Sequence, residues 1–221
     1  MAQPVDQKQS SSEQYSAEPK VSLDNERLVR PFSAVLAELP QKYLNAVTKP
    51  AVRTYSEVCT EASWGLVWTQ LLIWAVLDAA LGVLVNLISS PASGFSSFFS
   101  LVTSVGLVVL VPLLFFLVMA VTYIMARVFD GQGTFLEQCH ASLYVQVPLG
   151  IGSKVLALIP MVGRILNSVL SVYGIVLQVI VFMTVHKLSK GKAIAVALVS
   201  GLVLGIPVGV LYALFLLMTH K

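Results

Sequence analysis

Long apolar runs alternate with short polar segments along most of the chain. Four runs are long enough, at about 20 residues, to cross the ~30 Å hydrocarbon core of a membrane as α-helices; they are 64–88, 101–125, 165–185 and 193–218. A fifth run, 141–159, is weaker because Gln146, Pro148 and Lys154 interrupt it. The pattern predicts an all-α polytopic membrane protein.

The positions of the basic residues favour five transmembrane helices over four. Cytoplasmic loops collect Lys and Arg. If 141–159 crosses the membrane, the lysine cluster in 187–192 lies on the cytoplasmic side, and only three basic residues lie outside: Lys154, Arg164 and Lys221. We therefore predict five spans, with the N-terminus inside and the C-terminus outside. The polar third span should then be the helix most enclosed by its neighbours, since lipid does not satisfy its polar groups.

Residues 1–62 differ from the rest of the chain in being rich in charge. They hold seven of the 14 Lys and Arg residues and eight of the 11 Asp and Glu residues. Residues 1–30, rich in Ser, Gln, Glu and Pro, are expected to form a disordered polar tail. In 31–62 apolar residues recur every three or four positions, which predicts cytoplasmic or interfacial amphipathic helices. A second helix is expected to begin near Ala51 and to run into the membrane. Residues 63–221 then form the five-helix domain.

Composition narrows the class of partner. The chain is 57% hydrophobic and 11% charged, whereas a soluble domain is about 25% charged, so the lipid bilayer is the first expected partner. A net charge of +3 without a basic stripe argues against nucleic acid. Because residues 1–62 hold most of the charge, protein partners are expected to bind the N-terminal region, and a homo-oligomer is left open.

A Gly-x-Gly motif between the second and third spans has two interpretations, a phosphate-binding loop or a simple turn. Gly131-Gln132-Gly133 has no third glycine, no following Lys-Ser/Thr and no preceding strand, so phosphate binding is not expected. A helix hairpin accounts for the segment: Arg127 meets lipid phosphate, and the Asp130-Gly131 pair ends the second span with a residue of positive φ. Thr134 and Glu137 have the spacing of a capping box that begins the third span.

Asp78 is the acidic residue in the middle of a span, and an intramembrane carboxylate is a functional candidate by default. It is expected either to be protonated or hydrogen-bonded to Gln146, Asn167 or Ser171, or to have a proton- or ion-linked role. Asp78 and Gln146 are the intramembrane polar candidates.

No metal, cofactor or catalytic residue is expected. Glu137 and His140 form one Glu-x-x-His pair, and His186 ends the fourth span on the same side. Metal sites in helix bundles of the di-iron type need that pair twice and two further carboxylates. No nucleophile or zinc-protease motif is present either, so an enzyme is the least expected class.

Small residues occupy every fourth position of the last span. Such a stripe lets two helix backbones approach closely, and we expect it to pack on a neighbouring span. Its members are Ala193, Ala197, Gly201, Gly205, Gly209 and Ala213.

The order of short motifs between Arg127 and Ala193 resembles the Yip1 domain. The motifs are R-x-x-D-G-x-G-T-F-x-E, A-S-L-Y-x-x-V-P, I-P-x-V-G, V-Y-G-I-V-L-Q and V-H-x-L-S-K-G-K-A. The resemblance covers about residues 50–218, including P-A-V-R-T-Y before the first span. It implies five membrane spans, a cytoplasmic N-terminal region and no established enzymatic chemistry. It also marks the following family positions: Gly131, Gly133, Tyr144, Pro148 and His186.

Eukaryotic members of that family are associated with Rab GTPases and with vesicle traffic between endoplasmic reticulum and Golgi. They carry a D-L-Y-G-P-like segment before the first span, and residues 1–62 contain nothing similar. A Rab-type GTPase is therefore not the expected partner, and a prokaryotic branch member in a bacterial cytoplasmic membrane is. We interpret the chain as a scaffold, adaptor or membrane-organising protein. The alternative is a small transporter or channel with a polar path near Asp78 and Gln146.

Overall fold

The structure, a computed structural model, describes residues 32–89, 94–159 and 161–219. Within these ranges the chain forms seven α-helices and no strand, which confirms the all-α prediction. They are α1 (Phe32–Thr48), α2 (Val52–Cys59), α3 (Trp64–Ser89), α4 (Gly94–Val128), α5 (Phe135–Ala157), α6 (Val162–His186) and α7 (Lys190–Thr219). The predicted tail, 1–30, lies outside the described residues.

The chain divides into two units after Glu38, and the second is Leu39–Lys221. The second unit contains the C-terminal part of α1 and every later helix. All contacts described below lie within it.

Four helices of the described chain are long and apolar enough to cross a membrane, so the protein is a multi-pass membrane protein. The segments are Trp64–Val85, Val108–Val128, Val162–His186 and Lys190–Pro207. Helix α5 has 23 residues but is less apolar, and the count of five spans stays a prediction. Several helices extend beyond the predicted runs, as α4 does by beginning at Gly94, because polar residues at a run's edge continue the helix.

Helix α5 is the most enclosed helix of the described bundle, as its polarity predicts. Every residue from Gln138 to Val145 is buried, and so is Val147. It packs against α2, α3, α4 and α6. Because neighbouring helices surround it, its polar side chains find partners in protein rather than in lipid.

The helix directions follow from three contacts. Gln178 of α6 donates to Ser142 of α5 over 2.9 Å, and the backbone N–H of Gln132, just before α5, donates to the His186 carbonyl over 3.0 Å. The end of α6 therefore lies beside the start of α5, and the two run antiparallel. We call this side of the bundle, which holds residues 127–134, the loop end. Toward the opposite end of α5, Lys154 reaches Asp78 of α3.

The later part of α1 packs on α3, α5 and α6 together. The Tyr43 hydroxyl donates to the Gln70 side chain of α3 over 2.9 Å, and its ring lies 5.2 Å from the Tyr144 ring of α5. The Tyr173 hydroxyl of α6 donates to the Val47 carbonyl. Helices α3 and α6 both pack on α5, so the later part of α1 lies in the groove between them.

Helix α2 ends at Cys59 and packs on α5 and α6, and the expectation that it runs into the membrane stays a prediction. Ser63 then begins α3, since its side chain accepts the Leu66 N–H over 3.3 Å. This N-cap satisfies a free donor of the new helix and separates it from α2. The part of α1 from Leu39 onward and helix α2 thus form a helical hairpin in the groove, which we call the α1–α2 hairpin.

Candidate functional site

The hairpin loop between α4 and α5 begins with a Schellman motif. The Gly131 N–H donates to the Ala126 carbonyl over 2.8 Å, and the Asp130 N–H donates to the Arg127 carbonyl over 3.1 Å. These two bonds satisfy carbonyls that the end of α4 would leave free. The positive φ at this helix end lies on Asp130, at 67°, and not on Gly131.

The two loop glycines have a steric role. A Cβ on Gly131 would lie 2.7 Å from the Ala126 carbonyl oxygen, and a Cβ on Gly133 would overlap the Val185 carbonyl oxygen and lie 2.6 Å from its Cγ1. Between them, Gln132 forms its backbone bond to His186. The loop backbone therefore lies directly on the end of α6, and glycine is needed because the approach is close.

The predicted capping box at the start of α5 is confirmed. The Thr134 hydroxyl accepts the Glu137 N–H over 3.2 Å, and the Glu137 carboxylate accepts the Thr134 N–H over 2.8 Å. The Thr134 hydroxyl also lies 2.8 Å from that carboxylate. Glu137 is therefore engaged within its own turn. Among the described residues, no group of three His, Cys, Asp or Glu side chains is placed to hold a metal ion.

Two charged residues brace the loop. Arg127 donates to the Gly131 carbonyl over 3.0 Å and to the Tyr123 hydroxyl over 2.7 and 2.9 Å, and its expected contact with lipid phosphate stays a prediction. Asp130 accepts from Lys192 of α7 over 2.8 Å. The hydrogen bond and the positive charge of Lys192 lower the pKa of Asp130. Both side chains of this pair are exposed, so water screens it and it contributes little stability.

His186 lies at the centre of a buried polar network beneath the loop. Its Nε2 is 2.7 Å from the Gln138 amide oxygen. The Gln138 nitrogen in turn donates to the Thr122 hydroxyl over 2.7 Å and to the Met119 carbonyl over 3.0 Å. Since an amide oxygen only accepts, Nε2 carries the proton. This network ties α4, α5 and α6 together.

A second polar network surrounds His140. The Gln70 amide nitrogen lies 3.4 Å from His140 Nδ1, while the Gln70 oxygen accepts from Tyr43. The Tyr144 ring lies 5.2 Å from the His140 ring, and both residues are fully buried. Each histidine thus has its own glutamine partner. Pro148 follows inside α5, which continues through it to Ala157.

A cleft of about 370 Å³ lies between α3, α5 and α6, and we call it the polar cleft after the five polar side chains in its mostly apolar lining. Its lining is Trp74, Val145, Gln146, Leu149, Gly150, Ser153, Asn167, Leu170, Ser171, Gly174, Ile175 and Gln178. Gln146 therefore lines a cavity, as the alternative interpretation requires. Asp78 is not part of the lining.

Asp78 pairs with a different residue from those expected. Its carboxylate lies 3.2 Å from Lys154 Nζ, so the expected contact with Gln146, Asn167 or Ser171 was wrong. The register between α3 and α5 brings the two opposite charges together, and an ion pair satisfies a buried carboxylate better than neutral groups do. The Asp78 side chain is 14% exposed.

The segments described above also match the sequence profile of a known protein family. The Yip1 domain profile matches residues 44–214, from the later part of α1 to α7, including the loop and the cleft. The chain belongs to the Yip1 domain family. No significant match was found among curated proteins or among solved structures.

The small-residue stripe of this Yip1 domain is packed at one end and open at the other. Ala193 is fully buried and Ala197 packs beside it, which fits the predicted contact. The predicted contact is absent at Gly201, Gly205 and Gly209, since a Cβ at each would meet no atom of the described chain within 4 Å. The reason is that α7 packs on α4 and α6 only near the loop end. The Ala213 side chain lies outside the described residues.

Sequence reasoning missed the amide partners of this Yip1 domain, namely Gln70 and Gln138. Both are fully buried polar residues, one within and one at the edge of an apolar segment. Uncharged amides in such positions are the available signal, because a buried amide requires a hydrogen-bond partner.

Proposed function

We propose that this Yip1 domain protein is a non-enzymatic scaffold, adaptor or membrane-organising protein that binds protein partners through its N-terminal region. We place it in a bacterial cytoplasmic membrane with five spans, its N-terminus inside and its C-terminus outside. The main observation in support is that polar contacts between helices hold the loop end of the bundle together. A scaffold needs such a framework, because partners bound to a rigid support lose less entropy on assembly.

The loop end is held by contacts that cross between helices. The hairpin loop rests on α6 through the bond from Gln132 to His186, and Lys192 joins it to α7. On the groove side, α1 is held by Tyr173 and Tyr43, and the Tyr55 hydroxyl of α2 donates to the Ala46 carbonyl over 3.0 Å. These contacts support a framework in which α1 and α2 are part of the bundle.

Charge supports the proposed orientation. The loop end carries Arg127 at the end of α4 and the lysines at positions 187, 190 and 192 around the start of α7. Basic residues concentrate on the cytoplasmic side of a membrane protein. The loop end is therefore proposed to face the cytoplasm.

The candidate chemical groups support a non-enzymatic role. Glu137 caps its own helix, His186 bonds to Gln138, and His140 lies against Gln70. A general base must reach a substrate proton, and these groups instead face neighbouring side chains.

The test is crosslinking and affinity capture from native membranes. The full chain is compared with a variant lacking residues 1–31 and with one whose residues 1–31 are scrambled at constant composition. Helices α1 and α2 are kept because their later residues belong to the bundle. The proposal expects a partner set that both variants lose. Recovery of the same proteins with all three chains would refute an adaptor role for this region.

A small transporter is the second candidate, and the observation in its favour is the polar cleft lined by Gln146. Against a continuous path, Asp78 is ion-paired with Lys154 outside that lining. Proteoliposomes test this candidate, with uptake of a panel of uncharged solutes as the readout. Uptake by the native chain that Gln146→Leu abolishes would favour transport over a scaffold.

A further inference from the structure

The polar cleft lies next to the residues of α3, α5 and α6 that hold the α1–α2 hairpin. On α3, Trp74 lies one turn beyond Gln70, the contact of Tyr43. On α5, Val145 follows Tyr144, and on α6, lining residues lie on both sides of Tyr173. The cleft and the hairpin therefore share the same three helices.

The lining of the cleft is mostly apolar, with five polar side chains and no charged one. Its polar groups are the amides and hydroxyls of Gln146, Ser153, Asn167, Ser171 and Gln178. Among the described residues, the side-chain amides of Gln146 and Asn167 have no hydrogen-bond partner. Within a membrane, an amide without a partner carries a free-energy penalty that water is not present to relieve. The cleft thus offers donors and acceptors to an uncharged polar group.

The indole of Trp74 is a third polar group in the cleft without a hydrogen-bond partner among the described residues. Its Nε1 is buried. A Cβ built on Gly150 would lie 2.7 Å from that nitrogen, so Gly150 lets the indole sit against α5. Tryptophan at ligand sites combines an apolar face with one donor.

The surface beside the cleft is apolar and open. On α6, Val172 and Ile175 are 63% and 59% exposed, and both lie within the apolar segment Val162–His186. In a membrane these side chains face acyl chains. A ligand that enters from this side is therefore an amphiphile, with its polar group in the cleft and its chains on α6.

We propose that the cleft binds the uncharged, hydroxyl-bearing headgroup of a diacylglycerol-type lipid. A volume of about 370 Å³ is at the lower end of small-molecule sites, which suits a glycerol hydroxyl and its ester groups. A charged headgroup would find no counter-charge in the lining, and the nearby Asp78–Lys154 pair is already neutralised. This binding does not depend on the scaffold role or on transport.

The experiment measures lipid binding to the purified full chain by native mass spectrometry. The probes are dioctanoylglycerol, dioctanoyl phosphatidic acid and free glycerol. Two matched variants separate the cleft from the rest of α6: Ser171→Trp and Ser168→Trp. Both serines are exposed and bond to the carbonyl four residues earlier on the same helix, but Ser171 alone lines the cleft.

The proposal expects one dioctanoylglycerol bound to the native chain and to Ser168→Trp, and at least about tenfold weaker binding to Ser171→Trp. Gln146→Leu should weaken binding by about tenfold as well, since one hydrogen bond is lost. If Ser171→Trp does not fold, Gln146→Leu serves as the cleft variant in its place. Equal binding by the native chain and the folded cleft variants overturns the site. Equal or tighter binding of phosphatidic acid would refute the preference for an uncharged headgroup. Equal binding of free glycerol would refute the proposal that the ligand is a lipid.

Discussion

Gly133→Ala should destabilise the protein although it adds a single methyl group. The new Cβ would overlap the Val185 carbonyl oxygen and lie 2.6 Å from Val185 Cγ1. Because the carbonyl belongs to the backbone of α6, no side-chain rotation relieves the overlap. Overpacking of this kind costs about 1–3 kcal/mol, and at about 2–4 °C per kcal/mol for a chain of this size the Tm should fall by roughly 2–12 °C.

The assay is a thermal melt of the purified protein in detergent, followed by size-exclusion recovery or tryptophan fluorescence. Gly191→Ala is the matched control, because a Cβ there meets nothing within 4 Å in the first turn of α7. Alanine favours a helix over glycine by about 0.5–1 kcal/mol, so the control should keep or slightly raise the Tm. Equal Tm values for Gly133→Ala and the native chain would show that the loop does not rest on α6 as described.

Three further outcomes are expected. Gln138→Leu should lower the Tm by several degrees, since it leaves the buried Nε2–H of His186 without its acceptor at about 1–3 kcal/mol; an unchanged Tm would show that the amide is dispensable. Gly205→Leu should leave the Tm of the monomer unchanged because its surroundings are open, and a large loss would reveal a covering element. Burial, followed by the nearby Glu137, raises the pKa of the Cys59 thiol to about 11. Its alkylation, followed by peptide mass spectrometry, should therefore be slow at neutral pH and rise about tenfold per pH unit toward that pKa; the rate of a free cysteine would contradict this.

Local features of this fold could be predicted from the sequence. The apolar runs located α3 to α7 because helix length and hydropathy depend on neighbouring residues alone. The capping box at Thr134 was predictable for the same reason, since both partners lie within one turn. The enclosure of α5 also followed, because Gln146 and Pro148 make that segment unfit for lipid.

Contacts between helices could not be predicted. The pairing of Asp78 with Lys154 depends on the register of α3 against α5, and neither residue's neighbours encode it. The same holds for Gln138 and His186, which are 48 positions apart. The amphipathic stripe of α1 indicated a buried face, but the groove that receives it exists only after α3, α5 and α6 have packed.

The small-residue stripe of α7 predicts that close helix packing is possible there, but it does not predict where along the helix the packing occurs. Close packing is permitted at every member, yet Ala193 is buried and Gly205 is open. Which end of α7 is covered depends on where α4 and α6 lie, and this is a property of the whole bundle. The loop glycines differ from the stripe, since at both Gly131 and Gly133 a Cβ would clash with a backbone carbonyl oxygen.

The central claim, that the loop end is a rigid framework that includes the α1–α2 hairpin, is tested most directly by hydrogen–deuterium exchange of the full chain in lipid nanodiscs. The amides of Gly131 and Gln132, bonded to Ala126 and His186, and those of α2 should exchange far more slowly than the same sequences do as free peptides. Exchange of these amides at free-peptide rates, while α5 stays protected, would contradict the account.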